Sequence, residues 1–262
     1  MRPNPKQLVD FFSRSLSSFH SSPDVFRVLC TLPHHGGSSS SREPAPRPSK
    51  SNSKLRQRLV VLDSSFNPPT RAHAEMAKSA LEWASSSSSS SSPRLMLLLS
   101  VNNADKAPKP ASFPTRLGMM EGFGHELLKS LAATNEEGRP EIDLAVTKMP
   151  FFHDKARAIA ESGFYAAGGY PEPEQIFLAG FDTVIRIFNP KYYNTGGMRA
   201  ALGPFFERAR LRVTMRTDDE WGGEDEQLGY VKGLGEGGLD EVGGDKAWAG
   251  RVDLVEGRKG SE

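Results

Sequence analysis

The sequence predicts an α/β fold, a doubly wound parallel sheet in a single domain with flexible insertions. Three observations predict it. Apolar runs and helix-forming segments alternate from Leu59 to Met215, at spacings that suit right-handed βαβ units. The runs are short, apolar and bounded by turn residues, as in strands buried by helices on both faces. The chain has 262 residues, of which 37% are hydrophobic. The apolar deficit falls in Ser-, Pro- and Gly-rich stretches, so the remainder is dense enough to bury a core.

Each element follows from local pattern. Pro5 to His20 carries Leu8, Phe11, Phe12, Leu16 and Phe19 at helical spacing, which reads as an amphipathic helix rather than a transit peptide. Val25 to Leu32 reads as a strand stopped by Pro33. Arg58 to Asp63 is a buried strand, and Ala72 to Trp83 has helix-forming composition. Arg94 to Ser100 is a second buried strand; Val101 to Phe113 is a polar loop. Pro114 to Leu131 is a helix weakened by Gly118, Gly122 and Gly124. Ile142 to Val146 and Gln175 to Ala179 are strands, followed by helices over Phe152–Glu161 and Asp182–Phe188. Met198 to Ala209 is a helix and Leu211 to Met215 a strand. Thr217 to Gly250, rich in glycine and acids, reads as a long surface loop, with Arg251–Val255 a short strand after it.

This divides the chain into an N-terminal helix and strand packing on the main domain (1–33), a flexible linker (34–57), a main domain (58–216) with a serine insertion at 85–92, and a Gly- and acid-rich C-terminal part (217–262). His34 and His35 stand in the linker and read as solvated rather than metal-binding.

The charge balance, 33 basic against 32 acidic residues, offers no electrostatic case for nucleic acid or a membrane surface. No apolar run is long enough to cross a bilayer. Cys30 is the single cysteine, so no intrachain disulfide can form, which suits a reducing compartment, cytoplasmic or nuclear. The sequence has no phosphate-binding G-x-x-x-x-G-K-[ST], G-x-S-x-G or His-Glu-x-x-His motif.

Chemistry concentrates in Ser64-Ser65-Phe66-Asn67-Pro68-Pro69-Thr70-Arg71-Ala72-His73, directly after a buried strand. The two prolines cannot extend a sheet ladder, so the turn is sharp. The following helix aims its free N–H groups and positive dipole end at the strand tips, an anion site suited to phosphate. Thr70 and His73 are three apart and share a face, where both can meet one phosphate.

This stretch resembles the first signature of nicotinamide mononucleotide adenylyltransferases, roughly G-[ST]-F-[ND]-P-x-[TH]-x-x-H, through Ser65, Phe66, Asn67, Pro68, Thr70 and His73. Ser64 replaces the usual glycine. Downstream, Gly180-Phe181-Asp182 is similar to the family's G-x-D segment, whose Gly and Asp contact adenosine; an ordinary helix cap is the alternative for Asp182. Tyr192 or Tyr193 resembles the aromatic residue set against the pyridine ring. Lys106 resembles a phosphate-binding lysine, and Arg116 a basic residue beside the same loop; each read alone is a solvated charge. The family's Trp-Glu pair is replaced by Phe151-Phe152, an aromatic wall or core. The second signature, close to I-S-[ST]-T-x-x-[RK], has no counterpart; either the sequence is truncated or the branch has changed that site, with Arg258 and Lys259 as partial substitutes.

The resemblance implies a Rossmann-like nucleotidyltransferase fold. It implies transfer of AMP from ATP to nicotinamide or nicotinic acid mononucleotide, giving the dinucleotide of NAD biosynthesis and pyrophosphate. It places Thr70 and His73 in catalysis and Ser64, Ser65, Phe66, Asn67, Lys106, Arg116, Gly180, Asp182, Tyr192 and Tyr193 in nucleotide binding, with Mg²⁺ carried by ATP. The alternatives are a catalytically impaired nucleotide-binding or regulatory protein on the same fold and, ranked lower, a cytidylyltransferase, whose H-x-G-H differs from Thr70-Arg71-Ala72-His73.

Overall fold

The computed structural model describes residues 4–34, 48, 58–86, 93–102, 111–132, 140–166, 171–193, 196–216 and 219–257. Its strands are β1 (Phe26–Leu32), β2 (Arg58–Asp63), β3 (Arg94–Ser100), β4 (Ile142–Thr147), β5 (Glu174–Gly180), β6 (Ala209–Thr214) and β7 (Val252–Val255). The principal helices are α1 (Pro5–His20), α2 (Arg71–Ser86), α3 (Phe113–Ala132), α4 (Phe152–Glu161), α5 (Phe181–Ile187), α6 (Gly197–Arg208) and α7 (Glu224–Gly233).

The strands form one sheet in the order β1-β4-β3-β2-β5-β6-β7. Every pairing is parallel except β1 with β4. The chain builds outward from β2 through β3 to β4, then crosses back to place β5 on the other side of β2. The order therefore reverses between β2 and β5, and a crevice opens beyond their carboxyl ends.

Alternate strand residues face opposite sides, as a pleated sheet requires. Val60, Leu62, Leu97, Leu144 and Ile176 pack with α1, α2 and α3. Leu59, Val61, Leu98, Phe177 and Val213 pack with α4, α5 and α6. Burial on both faces is the reason these strands read as continuous apolar runs.

The N-terminal part belongs to this domain rather than resting on it. Asn4 accepts a bond from the Lys6 N–H, and Gln7 Oε1 accepts one from the Asn4 N–H, closing a capping box on α1. Leu8, Phe12, Leu16 and Phe19 of α1 are buried, as their spacing predicts. β1 adds to the sheet edge antiparallel to β4, the one antiparallel pairing of the described strands in a sheet that is otherwise parallel as expected. A buried polar cluster fixes it there. Arg94 grips Asp143 with Nε and Nη2, and Asp143 also accepts bonds from Thr31 (2.6 Å) and Tyr165 (2.8 Å). In α3, a Cβ added to Gly124 would lie 2.6 Å from Leu32 Cδ1, so this glycine lets the helix approach the end of β1.

The largest correction falls at the C-terminal end. The expected loop from Thr217 to Gly250 is largely helical among its described residues: α7 runs on through Leu234–Gly238 and Leu239–Glu241, and a further helical turn spans Lys246–Arg251. Composition misled because three side chains, Leu234, Leu239 and Trp248, reach the core and organise the glycine-rich chain between them. Trp248 stacks on Phe206 at 5.2 Å. The following strand forms as expected, parallel to β6. Of the linker, His34 and Pro48 are described; 35–47 and 49–57 lie outside the described residues. Of the serine run, Ser85 and Ser86 close α2 and 87–92 lie outside. Among the described residues no helix is long and apolar enough to cross a membrane.

Candidate active site

A cavity of about 470 Å³ occupies the crevice beyond β2 and β5. Its walls bring together Ser64, Thr70 and His73 from the turn after β2 and the start of α2, Gly180 from the end of β5 and Asp182 from the first turn of α5, and Arg212, Thr214 and Arg216 from β6 and just beyond.

The turn after β2 is built to deliver His73. Ser64 N–H donates to the Leu98 carbonyl at 3.2 Å, so the chain leaves the sheet only after this residue. Phe66 adopts a φ of +46° and the Asn67–Pro68 bond is cis. Phe66 is fully buried between the rings of His73 (5.7 Å) and Phe123 (6.4 Å). α2 then begins with its N-terminus at the cavity, Ala72 and His73 both in the wall.

His73 is held at both ring nitrogens. Nδ1 accepts from the Thr70 backbone N–H at 2.9 Å and lies 2.7 Å from the Thr70 hydroxyl. Nε2 lies 2.8 Å from Ser64 Oγ. A backbone N–H can only donate, so Nδ1 is unprotonated in the neutral ring and the proton sits on Nε2. Burial pulls the His73 pKa below its ordinary value, which favours this neutral tautomer. The imidazole thus presents an Nε2–H donor in a cavity that also receives a helix N-terminus.

Opposite, Asp182 Oδ1 accepts from Arg216 Nη2 at 2.7 Å and Nε at 2.9 Å. A Cβ on Gly180 would stand 2.6 Å from the same Oδ1, so glycine is what lets this ion pair close over the backbone. Arg212 Nη2 donates to Ser79 at 3.0 Å, and its guanidinium lies 5.3 Å from the Trp83 ring centroid. In the cavity wall, Asp63 Oδ2 meets Lys155 Nζ at 2.5 Å, both side chains largely buried. None of Asp63, Lys155, Arg212 or Arg216 was singled out from sequence. A charge at either end of a buried strand, or on the inward face of α4, was the available signal.

Several expected site residues are placed elsewhere. Phe66 is fully buried and outside the wall of the first cavity. Ser65 and Asn67 are exposed and outside the cavity wall; Asn67 Oδ1 accepts from the Ala111 N–H at 3.0 Å. Arg116 is buried, its Nε donating to the Ala111 carbonyl at 2.8 Å and Nη1 reaching the Ser65 carbonyl at 3.5 Å. It braces the turn from below, neither a solvated charge nor part of the cavity. Lys106 lies outside the described residues. Tyr192 and Tyr193 line a second cavity of about 390 Å³ with Phe151 and His153. Phe151 stacks on His153 with the rings 4° from parallel, and Phe151 and Tyr192 are among the few exposed large apolar side chains. Tyr193 spends its hydroxyl on the Ile187 carbonyl. Phe152, next to Phe151 in sequence, is in the wall of the first cavity, so the two cavities adjoin at the start of α4. After β7, Val255, Glu256 and Gly257 reach the first cavity; Arg258 and Lys259 lie outside the described residues.

No family model matches the chain. A protein of Schizosaccharomyces pombe named "Putative nicotinamide mononucleotide adenylyltransferase" is 33% identical over 197 residues, covering 75% of this chain and 68% of that protein. Among solved structures, the Plasmodium falciparum nicotinic acid mononucleotide adenylyltransferase complexed with APC aligns with a TM-score of 0.39 and 13% identity, over 78% of this chain and 77% of that one.

Proposed function

Because the chain belongs to the nicotinamide mononucleotide adenylyltransferase family, we propose that it transfers AMP from MgATP to nicotinamide mononucleotide or its nicotinic acid form, releasing pyrophosphate. The observation that carries the proposal is the His73 imidazole, oriented by Thr70 at one nitrogen and presenting the other inside the cavity that Gly180 and Asp182 close.

A phosphate oxygen of the mononucleotide attacks the α-phosphorus of ATP. A new P–O bond forms in line as the bond to the bridging oxygen breaks, and pyrophosphate leaves with that electron pair. The protein contributes position and charge rather than a covalent intermediate. His73 Nε2–H donates to a non-bridging α-phosphate oxygen, taking it in place of Ser64 Oγ. The N-terminus of α2 and the guanidinium groups of Arg212 and Arg216 add positive potential. Mg²⁺ arrives with ATP as part of the substrate: Asp63 and Asp182 are already held by Lys155 and Arg216, which leaves the ion to the phosphate oxygens. Gly180 and Asp182 take the adenosine side. The flat pyridine ring fits the second cavity, between the exposed faces of Phe151 and Tyr192.

The test is a coupled assay: purified chain, MgATP and nicotinamide mononucleotide, with dinucleotide formation followed through a dehydrogenase. Turnover that disappears in His73→Ala supports the proposal. A second reading, nucleotide binding without transfer, is favoured by one observation, the Ser64 hydroxyl at His73 Nε2 where the family carries glycine. ATP binding by calorimetry with no turnover would select it.

A further inference from the structure

At the end of the sheet opposite the candidate active site, the end of β1 brings His34 against α3. β1 runs antiparallel to β4, with Leu32 beside Ile142 at the start of that strand. His34 therefore sits at the amino-terminal edge of the parallel strands, whereas His73 stands beyond their carboxyl ends. α3 contributes Glu121 and His125, four apart and hence on one face.

The three side chains converge. Glu121 Oε1 is 2.9 Å from His125 Nε2 and 3.4 Å from His34 Nε2, and one ligand atom from each residue lies within 4.8 Å of the others. The imidazoles stand edge to face, 5.6 Å apart. Glu121 is 4% exposed. Although these are ion-pair distances, none is aligned as a hydrogen bond: Glu121 Oε1, His125 Nε2 and both His34 nitrogens are buried without a hydrogen-bond partner among the described residues. Two imidazole nitrogens and a carboxylate oxygen gathered within 4.8 Å of one another are a donor set that a metal ion satisfies. His34, expected to be solvated in the linker 34–57, is instead 18% exposed and lies against Glu121 and His125 of α3.

We propose that His34, Glu121 and His125 form a binding site for a first-row divalent transition ion, Zn²⁺ by preference, that pins the end of the edge strand β1 to α3. Two nitrogens and one oxygen suit Zn²⁺, which takes His nitrogen and carboxylate oxygen at about 2.0–2.2 Å, with water completing four-coordination. Mg²⁺ demands oxygen ligands and is not accommodated. The ion and the substrate-borne Mg²⁺ thus occupy opposite ends of the molecule. The site is independent of the proposed adenylyl transfer.

The full chain, stripped with chelator and desalted, is titrated with Zn²⁺ by competition calorimetry and melted with and without the ion. One Zn²⁺ per chain is expected, with Tm raised by about 5–10 °C at a hundredfold excess over Kd and unchanged by Mg²⁺. Glu121→Gln and His125→Ala should weaken Zn²⁺ binding at least about a hundredfold while keeping native circular dichroism, and His73→Ala should bind Zn²⁺ as the parent does. Substoichiometric binding by the parent, or variants that bind as tightly as the parent, overturns the site. Should the variants fail to fold, Co²⁺ added to the parent decides. Intense visible absorption displaced by Zn²⁺ supports the site, and only the weak spectrum of hexa-aquo Co²⁺ rejects it.

Discussion

Thr70 offers both its backbone N–H and its hydroxyl to one atom of His73, Nδ1, at 2.9 and 2.7 Å. Sequence spacing suggested that the two side chains would meet a common phosphate. In the structure Thr70, itself in the cavity wall, sets the His73 tautomer and ring angle, leaving Nε2–H as the donor.

The two residues should therefore fail differently. His73→Ala removes the donor to the α-phosphate, and kcat should fall about 10²–10³-fold with folding intact. Thr70→Val keeps the backbone N–H and loses only the hydroxyl, so a fall nearer tenfold is expected. Steady-state kinetics on both variants check this. Equal losses would show that Thr70 acts on substrate directly.

The pH dependence follows from burial. His73 and His153 both have pKa values pulled below the ordinary 6.5 by desolvation. Between the folded and unfolded values the unfolded chain binds more protons, so stability rises with pH. The contribution is complete above about pH 6.5 and is lost as pH falls through the lower folded values. A proton on Nδ1 also displaces the Thr70 N–H, so kcat/KM should be level from about pH 7 upward and drop on the acid side with an inflection below about 6.5. A kcat/KM that climbs on acidification would mean that the charged imidazole is the working form.

The Asp63–Lys155 pair stands at the cavity wall with both side chains nearly out of solvent. Lys155→Met strands a buried carboxylate and should cost about 3–5 kcal/mol in urea unfolding. Adding Asp63→Asn to that variant should restore much of the loss, since no lone charge remains. A single-variant loss below about 1 kcal/mol would indicate that water reaches Asp63.

At Gly180, any side chain collides with Asp182 Oδ1 and dislodges it from Arg216. Gly180→Ala should weaken ATP binding by about tenfold, the equivalent of about 1.4 kcal/mol, and leave the melting temperature within a few degrees of the parent. Calorimetry beside a thermal melt separates these effects. Unchanged affinity would place the adenosine elsewhere.

The central fold was legible because its signals are local. The apolar runs of β2, β3 and β5 and the stripe of α1 are periodic within a few residues, and burial on both sheet faces leaves few other ways to satisfy them. The signature from Ser65 to His73 was equally readable, since turn, helix start and imidazole lie within one short segment. The direction of β1 was not, because an antiparallel edge strand and a parallel one carry the same pattern. Nor was the helical order after Glu224, where three core contacts outweigh a glycine-rich composition.

The sequence by itself determined the central strands and helices and that His73 stands at a helix start after a buried strand. Tertiary structure alone decided which charges meet. Arg216 reaches Asp182 across 34 positions, Lys155 reaches Asp63 across 92, and His34 finds Glu121 and His125 only because β1 ends against α3. The physical reason is range. Backbone propensity and hydrophobic period act over a few residues, whereas ion pairs and ligand clusters depend on the order in which distant strands join one sheet.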